Sequence, residues 1–322
     1  MKKNNFLKIN IDKITSVCFN TFMGKNNEIV KISNLSKSFG DKSVLSSINL
    51  TVKRGESIGL VGPNGAGKTT LLSIIQGIKK PNSGVVELFG DIPNKPIQRV
   101  KLGISPQSIS LPDTFKAGEL IEFVRNHYPN KAGFKSLIEE FHLTNIVNYK
   151  VGGLSGGQKR LLSTCLAFSG NPELVLLDEP TTGLDVHTRD LLWSVIKNRN
   201  SKGTTIIVTS HYLEDIENLT QRIVKIDKGH IHIDDELSRI RSTIQRKNVV
   251  LKTDKISAFI HLPSVESYKI KGEYIILRTL SSEELIKEIV MTMEHFEDLR
   301  VFEDRLDHYF MSSAEEVRKV TQ

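Results

Sequence analysis

The stretch "GPNGAGKTT", Gly62 to Thr70, constrains this chain more than any other feature. It follows the apolar β-type run "SIGLV" and precedes the helical pattern "LLSIIQGIK", which reads as stopping at Pro81. A G-x-x-x-x-G-K-[ST] pattern in that context is a loop whose glycines let backbone amides wrap phosphate oxygens. Gly62, Pro63, Asn64, Gly65, Ala66 and Gly67 form the cradle, with Thr70 closing it. Lys68 reaches the β- and γ-phosphates, and the Thr69 hydroxyl binds Mg²⁺.

The rest of the chain supplies a matching architecture. "ELVLLD" is a strand-type run ending at Asp178, and "TTIIVTS" another ending at Ser210. Helical segments follow each: "DVHTRDLLWSVIKNRN" and "YLEDIENL". Apolar strands alternating with helices predict a parallel sheet covered on both faces, with ligands at the carboxyl ends of its strands. Asp178, Glu179 and His211 fall at those ends. Asp178 is placed to hold the Mg²⁺ shell, and Glu179, one residue on, to orient and activate a water. Residues 29 to 60 alternate around a Gly-Asp turn and predict antiparallel pairing. Residues 108 to 153 read as a helical insertion, which with the next helix makes a helical subdomain to about 170. The texture changes near 230, where "NVVLKTD", "YKIKGEYIILRTL" and "SSEELIKEIVMTM" predict a small α+β extension. The expected division is a basic extension over 1–28, an α/β phosphate-loop domain over 29–235 and the α+β extension over 236–322.

"LSGGQKR", Leu154 to Arg160, adds a second anion-binding device. Ser155 and Gln158 make a capping-box pattern, so the helix start is specified. Gly156 and Gly157 leave its amides bare, and a bare helix N-terminus attracts phosphate.

Bulk properties exclude little. The net charge of +7 permits an acidic partner or simply a solvated surface. Residues 1 to 31 carry six lysines against Asp12 and Glu28. Cys18 and Cys165 have no metal-type spacing and suit a reducing cytosol; Cys165 reads as a core residue. No run approaches eighteen apolar residues, so no membrane span is expected, and the interrupted N-terminus does not read as a secretion signal.

The ordered set "GPNGAGKTT", Gln107 in "ISPQ", "LSGGQ", "LVLLDEP", "GLD" and His211 resembles the ATP-binding cassette (ABC) ATPases over roughly residues 29 to 235. The resemblance implies a phosphate-loop fold with an antiparallel β subdomain, a mainly parallel core sheet and a helical subdomain. It implies ATP and Mg²⁺ as ligands. It implies that Gln107 senses Mg²⁺ and the attacking water, that His211 contacts the γ-phosphate, and that Phe39 stacks on adenine. In this family two cassettes dimerise head to tail. Ser155, Gly156, Gly157 and Gln158 would meet the ATP held by the other subunit, with Asp185 at the interface. The second subunit is then a copy of this chain or a homologous cassette.

An ABC ATPase is a motor, and without a span of its own this one implies a separate integral membrane permease. That places it on the cytoplasmic face of the cell membrane, with the helical insertion beside Gln107 gripping the permease. "LPDTFKAGELIEFVRNHYP" resembles cassettes of single-cassette systems that export drugs, antimicrobial peptides or similar amphiphiles, and "VFEDRLDHYFM" is similar to the way such chains end. Two alternatives stay open: an importer ATPase, or a soluble ABC ATPase acting on the ribosome or nucleic acid. A single "LSGGQ" and the absence of room for a coiled coil between Gln107 and Leu154 weigh against the second, so no specific nucleic acid is expected.

Overall fold

A computed structural model of the chain describes residues 27–243 and 246–303. Cys18, nearly all of the basic extension and most of "VFEDRLDHYFM" lie outside the described residues. The chain divides into two compact units, 1–234 and 235–322.

The first unit opens with a hairpin, β1 (Glu28–Phe39) and β2 (Lys42–Lys53), turned at Gly40 with φ of 56°. β3 (Ser57–Val61) leads into α1 (Lys68–Ile75), and β4 (Ser83–Leu88) returns to pair antiparallel with β1. The helix does not run to Pro81 as its pattern suggests. It ends at Ile75 because Gly77 adopts φ of 70° and donates to Ile74 O, while Ile78 N–H donates to Ser73 O. This pair of bonds is a Schellman closure, which a left-handed glycine favours. A side chain at Gly77 would meet the backbone at Pro93 and Asn94 at 2.8 Å, so tertiary packing fixes the stop.

After α2 (Pro96–Arg99) and β5 (Leu102–Ser105) come the helices of the insertion: α3 (Ala117–Arg125), α4 (Phe134–Glu140), a 3₁₀ turn at Val151–Gly153, and α5 (Gly156–Ala167). β6 (Leu174–Asp178), α6 (Val186–Ser201), β7 (Thr205–Thr209), α7 (Leu213–Leu219), β8 (Arg222–Asp227) and β9 (His230–Glu236) complete the sheet. Its order is β5-β6-β7-β3-β8-β9, and the pairs from β5 to β8 are parallel. Every residue of β3, β6 and β7 is buried, as strands covered on both faces require. Each buried Ile, Leu or Val there contributes about 1.5–3 kcal/mol over an exposed one, which makes these strands a firm base for the loops at their ends. One core joins this sheet to the antiparallel one through Leu45, Ile48, Leu60, Leu71 and Val224. Cys165 is wholly enclosed, and burial pushes its thiol pKa up, so it is an inert core residue as expected.

The second unit runs α8 (Leu237–Thr243), β10 (Lys247–Lys252), α9 (Ile256–Phe259), β11 (Ser267–Lys271), β12 (Tyr274–Thr279), α10 (Ser282–Met291) and β13 (Glu297–Glu303). From β10 onward this is a β-α-β-β-α-β unit with sheet order β11-β12-β10-β13, all pairs antiparallel. Val249, Leu251, Ile275 and Leu277 pack on Phe259, Leu285 and Ile289 to form its separate core.

Candidate active site

β6, β7 and β3 are neighbours, and their carboxyl ends fall in a row: Asp178 is in register with Thr209, and Thr209 with Leu60. The loop after β3 is shaped by its glycines. Gly62 has φ of 153°, and a Cβ there would lie 2.0 Å from Ile226 O. Gly67 has φ of 109° and touches Leu45 and the carbonyl of Val44 so closely that a Cβ would not fit. Gly67 is also the N-cap of α1, with no side-chain cap and no acid in the first turn. The helix therefore presents unpaired amides and a positive dipole end to the loop, an arrangement that fits phosphate.

A cleft of about 480 Å³ opens over this loop. Its lining comes from the loop and helix start (Asn64, Gly65, Gly67, Lys68, Thr69 and Thr70), from Gln107 and Glu179, and from the hairpin residues Phe39, Lys42 and Val44. Pro63 is exposed beside it, and Ala66 is buried beneath. Lys68 Nζ donates to the carbonyls of Gly62 (2.7 Å) and Pro63 (3.1 Å). Burial lowers its pKa below the usual lysine range, against the opposing pull of Glu179 and Asp178. Phe39 is 44% exposed, so it is no core aromatic, and the ammonium groups of Lys79 and Lys37 stand 4.6 and 5.1 Å from its ring centre.

Asp178 and Glu179 are both buried. Asp178 Oδ2 accepts from Thr69 Oγ1 at 3.0 Å and Oδ1 from Thr209 Oγ1 at 2.6 Å. The Glu179 amide donates to Thr209 Oγ1 at 2.9 Å, and the residue takes φ of 51°, which turns its carboxylate away from the strand into the cleft. Gln107 Nε2 and Thr182 Oγ1 donate to Glu179 Oε2 at 3.1 and 3.3 Å, and His211 Nδ1 stands 3.4 Å from the same oxygen. The Thr69 hydroxyl and the Asp178 carboxylate are hard oxygen donors. No group of three or more His, Cys, Asp or Glu suited to a metal occurs among the described residues. That set fits Mg²⁺, which takes one or two protein oxygens and completes its shell with phosphate and water.

The helix start of α5 is built as its sequence predicts. Gln158 N–H donates to Ser155 Oγ at 3.2 Å, and Ser155 N–H to Gln158 Oε1 at 2.9 Å. Ser155, Gly156, Gly157 and Gln158 do not line the cleft of their own chain, and neither does Asp185. Asp185 caps α6 instead, accepting from Thr188 N–H and Oγ1, and these bonds lower its pKa. The two groups are neighbours: a Cβ on Gly157 would stand 3.4 Å from the Leu184 side chain.

Four residues of the site escape a reading of motifs. Thr209 ties both carboxylate positions together; a hydroxyl closing an otherwise apolar strand is its only sequence signal. Lys42 and Val44 reach the cleft only because the β1–β2 hairpin folds over it. Arg160, buried in α5, donates to Pro106 O (2.9 Å) and Gln107 O (2.8 Å), anchoring the segment that carries Gln107. The available hint is that Arg160 directly precedes the apolar pair Leu161 and Leu162 of a helix pattern.

A mainly parallel sheet with this loop, an acidic pair at the end of the next strand but one and three polar side chains converging on Glu179 define a phosphate-loop nucleoside triphosphatase. The ABC transporter family model matches residues 45–182. The chain is 35% identical over 245 residues to the Nod factor export ATP-binding protein I of Burkholderia lata, covering 71% of this chain and 81% of that protein. It is 36% identical over 210 residues to the linearmycin resistance ATP-binding protein of Bacillus subtilis, covering 63% of this chain and 68% of that one. Among solved structures, the ATP-binding subunit of an ABC transporter superposes with a TM-score of 0.62 at 25% identity, over 67% of this chain and 92% of its own. A dimeric bacterial ABC transporter cassette does so at 0.59 and 27%, over 65% and 98%. The chain belongs to the ABC transporter ATP-binding proteins and is an ATPase of that family. No helix of the described residues is long and apolar enough to cross a membrane.

Proposed function

We propose that this chain is the motor subunit of an ABC exporter, working as a head-to-tail dimer that closes around two ATP molecules and drives a separate membrane permease. The observation that carries the reading is the convergence of Gln107, Thr182 and His211 on one oxygen of Glu179, while the exposed Ser155 helix end stands outside its own cleft. A helix end with bare amides that lies outside the cleft of its own chain is what a shared site needs.

In this reading the loop amides and Lys68 hold the phosphates, and Phe39 stacks on the adenine. Thr69 and Asp178 would hold Mg²⁺, with Gln107 near it, and the ion would supply charge neutralisation on the phosphates. Glu179 Oε2 accepts a proton from the attacking water, which Gln107 orients, and His211 contacts the γ-phosphate. Ser155, Gly156, Gly157 and Gln158 of the second subunit cover the γ-phosphate, and Asp185 couples the two sites. Export, rather than import, is supported by the names of the relatives, which concern Nod factor export and linearmycin resistance. A drug, peptide or other amphiphile is the substrate class, and the permease holds the subunit at the inner face of the cell membrane. Affinity purification of the tagged chain from solubilised membranes is expected to bring down that permease.

Glu179→Gln tests the core of the proposal. The amide keeps the shape of the side chain but lacks the charge and proton affinity of the carboxylate, so hydrolysis should fall by about 10²- to 10⁴-fold. Bound ATP then persists, and a ligand that binds only the dimer drives assembly by mass action. Light scattering should find a monomer without nucleotide and a dimer with Mg-ATP, which Ser155→Arg disrupts. Tight binding of Mg-ATP by a monomer, or a dimer untouched by Ser155→Arg, sinks the proposal.

A further inference from the structure

Asp215 sits on α7, four residues after His211, with its side chain fully enclosed. Its Oδ2 accepts from Thr181 Oγ1 at 2.5 Å and from Ser210 Oγ at 2.7 Å, and its Oδ1 from Trp193 Nε1 at 3.0 Å. All three donors are neutral. Each sits on a different piece of the catalytic end of the sheet. Thr181 is two residues beyond Glu179, Ser210 directly precedes His211, and Trp193 lies on α6, the helix that Asp185 caps.

We infer that Asp215 is a positioning residue that locks the loop carrying Glu179 to the loop carrying His211. The inference rests on the roles proposed above for those two residues. Thr209 fixes the Glu179 amide, but that bond orients neither Thr182 nor His211. The carboxylate of Asp215 does both. Holding Thr181 sets the adjacent Thr182, whose hydroxyl reaches Glu179 Oε2, and holding Ser210 sets the adjacent His211. Ser210 Oγ also accepts the Tyr212 amide at 2.9 Å, so the hydroxyl is bound on both sides. Hydrogen bonds to an ionised acceptor are shorter and roughly twice as strong as neutral ones, and here water is excluded. Thr181 and Ser210 share Oδ2, so in a neutral amide of equal volume both loops keep at most an uncharged acceptor, while the amide nitrogen opposes the Trp193 N–H and pulls that shared oxygen out of place.

The experiment compares Asp215→Asn, Thr181→Val, Ser210→Ala and Trp193→Phe, with Glu179→Gln alongside. Misplacing a reacting group by about 1 Å reduces rate by up to about 10²-fold. Asp215→Asn is therefore expected to lower kcat for ATP by about 10- to 100-fold while KM for ATP stays within about two-fold. Thr181→Val and Ser210→Ala should each lower kcat, and each should add little on top of Asp215→Asn, since contacting residues in one network are not additive. Trp193→Phe removes only the helix donor and should leave kcat within about two-fold. A near wild-type kcat for Asp215→Asn, or a loss carried wholly by KM, overturns the inference. If Asp215→Asn fails to fold, a normal kcat in both Thr181→Val and Ser210→Ala overturns it equally, and a loss in both upholds it. Glu179→Gln at the wild-type rate would instead sink the reading of the site; inactive Glu179→Gln beside active Asp215→Asn sinks the inference alone.

Discussion

Thr69 Oγ1 donates to Asp178 Oδ2 across 3.0 Å, although 109 positions separate the two residues in the chain. The bond spans from the end of the phosphate loop to the end of the neighbouring strand but one, and it marks where a cation would sit between them. Replacing the hydroxyl by a methyl in Thr69→Val keeps the volume and removes an oxygen donor. The Mg²⁺ concentration giving half-maximal ATPase activity is expected to rise by about 10-fold or more, and Thr69→Ser to restore it. An unchanged Mg²⁺ titration in Thr69→Val would count against this placement of the ion.

Lys68→Ala should leave less than about a tenth of the ATPase activity, since backbone amides alone do not neutralise the β- and γ-phosphates. The lysine also gives a proton signature. Burial lowers its pKa below 10.5, so between the lowered value and 10.5 the unfolded chain binds more protons than the folded one. Stability from this group accordingly rises with pH across that window. Phosphate at the ammonium reverses the shift, and ATP binding there takes up protons. Titration calorimetry in two alkaline buffers of different ionisation enthalpy should detect the uptake in wild type and not in Lys68→Ala.

Gly62 and Gly65 both take left-handed backbone, but only one is also hemmed in. A Cβ on Gly62 would lie 2.0 Å from Ile226 O, whereas nothing lies within 4 Å of one on Gly65. Gly65→Ala then carries backbone strain alone, on the order of 1 kcal/mol. Gly62→Ala adds a clash with backbone in the central sheet and should be destabilising by about 3 kcal/mol or more. Thermal melts of the two variants should separate clearly, and equal melting temperatures would refute the argument.

Arg160→Met keeps most of the buried stem and loses two hydrogen bonds, leaving Pro106 O and Gln107 O without their donor. The segment that aims Gln107 at Glu179 is then loosened. We expect kcat to drop by about 10-fold with ATP affinity little changed, because the phosphate loop is untouched. A loss of ATP binding of the same size would show that Arg160 acts on the nucleotide cleft as a whole.

The sequence by itself determined most of the elements and which residues are candidates for the site. Glycines at fixed offsets before Lys68, apolar-rich runs ending at Asp178 and Ser210, and Ser155 paired with Gln158 are local patterns, and each favours its local structure wherever the chain goes. Motif order also placed Glu179, Gln107 and His211 in one site. What only the tertiary structure decided were the long-range contacts. The end of α1 at Ile75 follows from Gly77 packing on Pro93 and Asn94, not from Pro81. Thr209 reaches both Asp178 and Glu179 because β6 and β7 are parallel neighbours in register, a pairing no single stretch encodes. Asp215 gathers Thr181, Ser210 and Trp193 for the same reason: a buried carboxylate is satisfied by whatever donors the packed sheet and helices bring to it, and those come from three separate segments.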